Sequence, residues 1–219
     1  TVLCEKNPEL AYRVNALGAR NLSIVASKVG AKIVQLSTDD VFDGIANHPY
    51  SEFDDTNPQT VYGRSKRAGE NYVKEFTHKH FIIRSSWVYG NGDNFVNRVL
   101  KAAEKRDPFA VPAGEIGAPT SAKDLARIIL HLIETNEYGT YHVTCKGSCS
   151  RYELAKEVLK LAGKTLQLTE ASSVALEQPA VRPAYAVLDN FILRIIDVYD
   201  MPHWRDSLKE YIEERMARG

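Results

Sequence analysis

Apolar positions recur along the chain in two periods. Leu10, Val14, Leu17, Leu22, Val25 and Val29 follow a helical spacing that predicts a buried stripe. Asn7-Pro8-Glu9 opens that helix with a capping side chain, a first-turn proline and an acid near the positive end. Gly30 closes it. Residues 31–37 form a short β-rich run of the kind found in a parallel strand covered on both faces, and residues 80–85 form another. Polar residues, glycine and proline fill 38–60, a loop long enough to point to function. Further helices are predicted over 61–79, 94–106, 121–135, 151–162, 188–198 and 204–216, and short strands over 109–111, 140–143 and 165–168. Strands alternating with helices imply an α/β fold with a parallel sheet covered on both faces. Breaks at Gln178-Pro179 and Arg182-Pro183 mark the latter part as a smaller, loop-richer lobe.

Composition narrows the function classes. The 219 residues are 44% hydrophobic and 26% charged, enough for a full core. With 28 basic against 28 acidic residues there is no overall field to draw a nucleic acid or an anionic membrane, so neither is expected as a partner. No apolar run approaches the ~20 residues needed to span a bilayer. Three cysteines cannot all pair, which suits a reducing cytoplasm. His142, Cys145 and Cys149 lack a fourth ligand nearby, so no metal is expected.

The chemistry centres on Tyr62-Gly63-Arg64-Ser65-Lys66. On a helix this Tyr-x3-Lys spacing puts both side chains on one face. A free phenol, with a pKa of about 10, is a poor acid or base near neutrality, and lowering it by ~3 units takes about 4 kcal/mol. One ammonium ~4 Å away supplies roughly that at an effective dielectric of ~20. The preceding strand ends in Ser37-Thr38-Asp39, at the carboxyl edge where open α/β sheets place ligands. Thr38 is suited to hold a substrate carbonyl near Tyr62. Asp39 and Asp40 follow one another in what reads as an extended segment, so they point apart and do not form an acid/base dyad.

Ser37-Thr38-Asp39-Asp40-Val41-Phe42-Asp43-Gly44 resembles the strand-to-loop motif of dTDP-4-dehydrorhamnose reductases, within the extended short-chain dehydrogenase/reductase superfamily. Pro49-Tyr50-Ser51-Glu52-Phe53-Asp54, Asn57-Pro58, Val61 to Lys66 and Gly69-Glu70 continue the likeness. So do Arg84-Ser85-Ser86-Trp87-Val88-Tyr89-Gly90, Asn94-Phe95, Gly117-Ala118-Pro119-Thr120 and Arg182-Pro183. The resemblance implies a Rossmann-type doubly wound parallel sheet lacking its N-terminal βαβ portion, with a smaller C-terminal substrate lobe. Residues 1–90 and 120–145 would form the truncated nucleotide-binding domain, and 91–119 and 146–219 the substrate-binding lobe.

Roles follow from the same resemblance. Tyr62 would give a proton, Lys66 would hold the nicotinamide ribose and tune Tyr62, and Thr38 would orient the keto oxygen. Asn15 would support a proton relay, although it reads equally as a polar group satisfied inside its helix. Ser37, Tyr62, Lys66 and Arg84 would contact the cofactor. Thr38, Asp39, Trp87, Asn94 and Arg182 would contact the substrate, with Arg182 suited to a diphosphate. Two departures stand out. Asp40 occupies a place where the family has tyrosine. The family's glycine-rich phosphate turn has no counterpart, so the chain is expected to be part of a longer protein and to bind dinucleotide poorly.

The implied activity is reduction of the 4-keto group of dTDP-4-dehydro-6-deoxy-L-mannose to dTDP-L-rhamnose by NADPH, with NADH left open and a homo-oligomer not excluded. Two rivals share the scaffold. One is a non-catalytic regulatory subunit resembling the β subunit of methionine adenosyltransferase. The other is a sugar-nucleotide epimerase or dehydratase.

Overall fold

The computed structural model describes residues 1–172, 183–198 and 200–217. Arg182 lies outside the described residues. The chain opens helically: α1 (Val2–Lys6), α2 (Pro8–Tyr12), a π-helical turn (Arg13–Leu17) and α3 (Gly18–Val29) lead to β1 (Ile33–Thr38). The Asn7 side chain caps α2 by accepting from the Leu10 amide at 3.1 Å, and Gly30 ends α3 in the left-handed region at φ 70°.

A 3-10 turn (Asp39–Val41) opens the long loop before α4 (Val61–Phe76), which runs into β2 (His80–Ser85). There follow β3 (Val88–Tyr89), α5 (Phe95–Lys105), β4 (Phe109–Pro112), β5 (Ile116–Gly117), β6 (Thr120–Ser121), α6 (Ala122–Glu134) and β7 (Gly139–His142). The rest comprises β8 (Cys149–Ser150), α7 (Arg151–Leu161), β9 (Leu168–Ala171), β10 (Tyr185–Ala186), α8 (Phe191–Ile195) and α9 (Trp204–Ala217).

The main sheet has the order β1-β2-β7, with both pairings parallel. Thr38 and Ser85 are register partners at the carboxyl ends of β1 and β2, so both strands deliver their terminal residues to one rim. The strand β2 is buried along Phe81, Ile82 and Ile83, and its core continues through Val99, Leu132, Leu154, Trp204 and Leu208 from four helices. Smaller sheets follow: the three-stranded β10-β5-β8 and the parallel pairs β3-β6 and β4-β9.

The expected burial of the N-terminal stripe is overturned. Leu10, Val14, Leu17, Leu22, Val25 and Val29 are between 38% and 72% exposed, while Ala11, Ala16, Ala19 and Ser23 are buried. The reason is steric. A Cβ on Gly69 of α4 would meet the Asn15 carbonyl oxygen at 2.4 Å, so these helices pack close, through small residues. Elsewhere, the strand expected over 165–168 begins only at Leu168, and the helix expected over 188–198 shrinks to α8.

Candidate active site

The first turn of α4 is tied down from two directions. Thr60 caps it by accepting from the Gly63 amide at 2.9 Å. The Glu5 carboxylate, brought by α1, accepts from the Val61 and Tyr62 amides at 2.8 and 3.3 Å. A carboxylate there satisfies otherwise unpaired donors and favours the positive helix end. Gly63 lets the turn press on the loop after β1, since a Cβ would lie 2.0 Å from the Asp40 carbonyl oxygen. Tyr62 is thereby fixed beside the rim that carries Thr38.

Thr38 and Tyr62, far apart in sequence, come together at one cleft, where the Thr38 side chain favours the ionised phenol. The Thr38 hydroxyl also donates to Asp39 at 2.9 Å and accepts from the Asp40 amide at 3.1 Å. Tyr62 is pushed up to about 12, first by burial and then by the Asp40 and Asp39 carboxylates. This corrects the expectation that Lys66 tunes the phenol downward. Burial lowers the Lys66 ammonium, and Glu70, one turn further along α4, opposes that shift. Asp39 and Asp40 also depart from the extended geometry expected of them: both lie in the 3-10 turn, both are buried, and both line the cleft.

Glu70 is fully buried and organises the floor of the site. It accepts from Ser37 Oγ at 2.6 Å, and from Arg84 Nε and Nη2 at 3.0 and 2.8 Å. Arg67 adds a longer contact at 3.4 Å. Two-point contact with a guanidinium holds the Glu70 carboxyl below the usual range in spite of its burial. Arg84 was expected at the cofactor. It is 3% exposed, and its guanidinium serves Glu70 and donates to His142 Nε2 at 3.4 Å. It anchors the helix to the sheet.

Asn15 lies in the π-helical turn, where its amide donates to Ser65 Oγ at 3.0 Å, and Ser65 in turn donates to the Tyr62 carbonyl at 2.8 Å. π-helical turns often mark functional positions. Asn94 caps α5, accepting from the Asn97 amide at 3.1 Å and donating to the Gly90 carbonyl at 2.7 Å.

Thr38, Asp39, Asp40, Tyr62, Trp87 and Asn94 line one cleft of about 310 Å³. Arg98, Glu115 and Arg151 line it too, and sequence reasoning missed them. Trp87 stands at its wall with the Arg151 guanidinium 3.5 Å from the indole centroid. A larger groove of about 1030 Å³, between α5, the start of α6 and α9, holds none of the residues expected to carry chemistry, so the smaller cleft is the candidate site. Glu70 had a signal, as the residue four beyond Lys66 on the same helix face. Glu5 had none, because only the tertiary fold brings α1 to α4.

Cys4, Cys145 and Cys149 are free thiols. The His142 ring contacts the Tyr50 and Asp189 carbonyls at 3.0 and 3.2 Å. Among the described residues, no cluster of three or more His, Cys, Asp or Glu side chains could hold a metal, and no helix is long and apolar enough to cross a membrane.

Comparison with known proteins places this geometry in a family. The model of the RmlD substrate binding domain matches residues 2–217. The spore coat polysaccharide biosynthesis protein SpsK of Bacillus subtilis (strain 168) is 38% identical over 215 residues, covering 98% of this chain and 75% of that protein. The dTDP-4-dehydrorhamnose reductase of Streptomyces griseus is 38% identical over 214 residues, covering 94% and 70%. Among solved structures, a dTDP-4-dehydrorhamnose reductase from Clostridium acetobutylicum superimposes with a TM-score of 0.94 at 44% identity, covering 97% of this chain and 76% of that one. One from Bacillus anthracis, in complex with NADP, gives 0.93 at 40% identity, covering 96% and 75%. The chain belongs to the RmlD substrate binding domain family.

Proposed function

We propose that this chain serves an NADPH-dependent oxidoreductase that reduces the 4-keto group of dTDP-4-dehydro-6-deoxy-L-mannose to dTDP-L-rhamnose. The observation that carries this reading is the meeting of Thr38 and Tyr62 at the rim of one cleft, with the phenol held protonated. Relatives named dTDP-4-dehydrorhamnose reductase, one of them solved with NADP, support the same reading.

The residues present fit a nicotinamide. Lys66 is a half-buried ammonium one turn beyond Tyr62, and the two would hold the nicotinamide ribose. Asp39 and Asp40 bring two carboxylates to the cleft, which an oxidised, cationic ring would complement. When bound, the cofactor supplies the hydride.

The chain's own work is positioning and proton transfer. Thr38 and Tyr62 direct hydroxyl groups to where the substrate oxygen gains charge, so their interaction strengthens in the transition state. A phenol at about 12 is fully protonated at neutral pH. An alkoxide is far more basic than its phenolate, so transfer from Tyr62 runs downhill during reduction.

The test is loss of nicotinamide absorbance with dTDP-4-dehydrorhamnose, using the full-length polypeptide and a Tyr62→Phe control. Stoichiometric NADPH consumption that Tyr62→Phe abolishes, with substrate binding preserved, is the expected result. No consumption despite demonstrated NADPH binding would retire the reading in favour of a regulatory subunit or a different keto sugar.

A further inference from the structure

Trp87 connects the end of β2 to β3 with a left-handed backbone, φ 45°. That conformation costs a bulky residue on the order of 1–3 kcal/mol and persists only where the surroundings hold it. Two neighbours grip the indole, and a third anchors the grip. At 3.5 Å from the ring centroid the Arg151 guanidinium lies face-on, because an in-plane approach that close would overlap the ring atoms. A Cβ on Gly117 would come within 2.5 Å of the indole, so only glycine leaves room for it there. Behind Arg151, Glu115 accepts from its Nε at 3.0 Å, and both residues are buried. One strand pair builds the whole device. Gly117 lies in β5 and Glu115 directly precedes it, while β8 pairs with β5 and runs straight into Arg151.

We infer that Glu115, Arg151 and Gly117 form a clamp that holds Trp87 as a rigid wall of the cleft, making Arg151 a positioning residue for the nucleotide-sugar ligand. The inference rests on the reading of this cleft as a sugar-nucleotide site. With one indole face taken by the guanidinium, the rest of the ring is presented to the ligand without rotational freedom. Preorganisation of this kind tightens binding by removing an ordering cost. The clamp touches no reacting atom, so its loss acts on affinity and KM and leaves the chemical step largely intact.

The test uses the full-length protein titrated with dTDP, read by tryptophan fluorescence. The sequence holds two tryptophans, and Trp204 is fully buried away from the cleft, so Trp87→Phe identifies the responsive one. Arg151→Met keeps the length of the side chain and removes the planar cation. It is expected to shift the Trp87 emission, weaken dTDP binding about tenfold and raise KM, with kcat held within about threefold. Arg151→Lys keeps the charge without the plane and is expected to remain weak. Wild-type affinity and emission in Arg151→Met would overturn the inference, and wild-type affinity in Arg151→Lys would overturn the role of stacking. If Arg151→Met does not fold, Glu115→Gln makes the same test: weakened affinity supports the clamp and unchanged affinity overturns it. An Arg151-dependent response to dTDP in a protein that reduces no keto sugar would retire the proposed reaction and leave the clamp standing.

Discussion

Mild acid is expected to weaken the folded protein before most of its carboxylates titrate, and the cause is His142. Its ring is fully buried, with Nδ1 donating toward the Tyr50 and Asp189 carbonyls and Nε2 accepting from Arg84. A second proton on Nε2 would face a guanidinium without water. Burial first, and Arg84 second, push this histidine down to about 3. Because the folded pKa lies below the unfolded value of about 6.5, the unfolded chain takes up a proton that the folded chain refuses. Stability is therefore whole above pH 6.5 and is lost as pH falls toward the folded pKa. The loss reaches about 2 kcal/mol at pH 5 and about 5 kcal/mol once the whole gap is crossed, against 5–15 kcal/mol for a typical domain. Urea unfolding followed by circular dichroism at pH 7.5 and pH 5 measures it, with His142→Gln as the reference. Glu52, raised by burial, works in the opposite direction, since acid relieves its buried charge. That contribution survives in the variant because Glu52 accepts from the main-chain amide of His142, which glutamine retains. His80, also lowered by burial, is common to both proteins. The wild type should lose about 2 kcal/mol more than His142→Gln between the two pH values. Equal losses would refute the argument.

Glu70→Gln leaves the Arg84 guanidinium buried without its counter-charge, and is expected to cost about 3–5 kcal/mol, read as a lowered urea midpoint. A cost below about 1 kcal/mol would show the pair to be dispensable. Gly63→Ala drives a methyl group into the Asp40 carbonyl, for an expected loss of about 1–3 kcal/mol in thermal unfolding. Turnover should fall further than stability, because the strained turn carries Tyr62. Thr38→Val removes the hydroxyl that lowers Tyr62, so the phenol should titrate higher still in ¹³C-tyrosine spectra. In the same variant kcat should drop about a hundredfold with KM little changed, and a near-normal kcat would remove Thr38 from the mechanism.

What could be read from the chain was local. The helical spacing of Tyr62 and Lys66 needs only the period of α4, and the place of Thr38 needs only the end of β1. The N-terminal stripe shows the limit of such reading. Periodicity reports that a helix has an apolar face, but not that a small-residue face packs instead when a neighbour such as Gly69 permits close approach. Arg84 failed for a related reason. It stands near a strand end, as a ligand contact would, yet its register partner on β7 is His142 and its acceptor, Glu70, comes from a helix. That three-way arrangement exists only after the strands are aligned.

The acidity of Tyr62 shows the same limit at the site of chemistry. A single ammonium four residues away is a sound argument for lowering a phenol if nothing else is close. In the folded protein the phenol is desolvated, and the turn after β1 folds two carboxylates against it. Burial, Asp40 and Asp39, in that order, push it up to about 12. The neutral form of the candidate acid is thus favoured first by its burial and then by the carboxylates of the strand-end loop. Asp40 bears directly on the candidate proton donor, because the same carboxylate that lines the cleft raises the tyrosine.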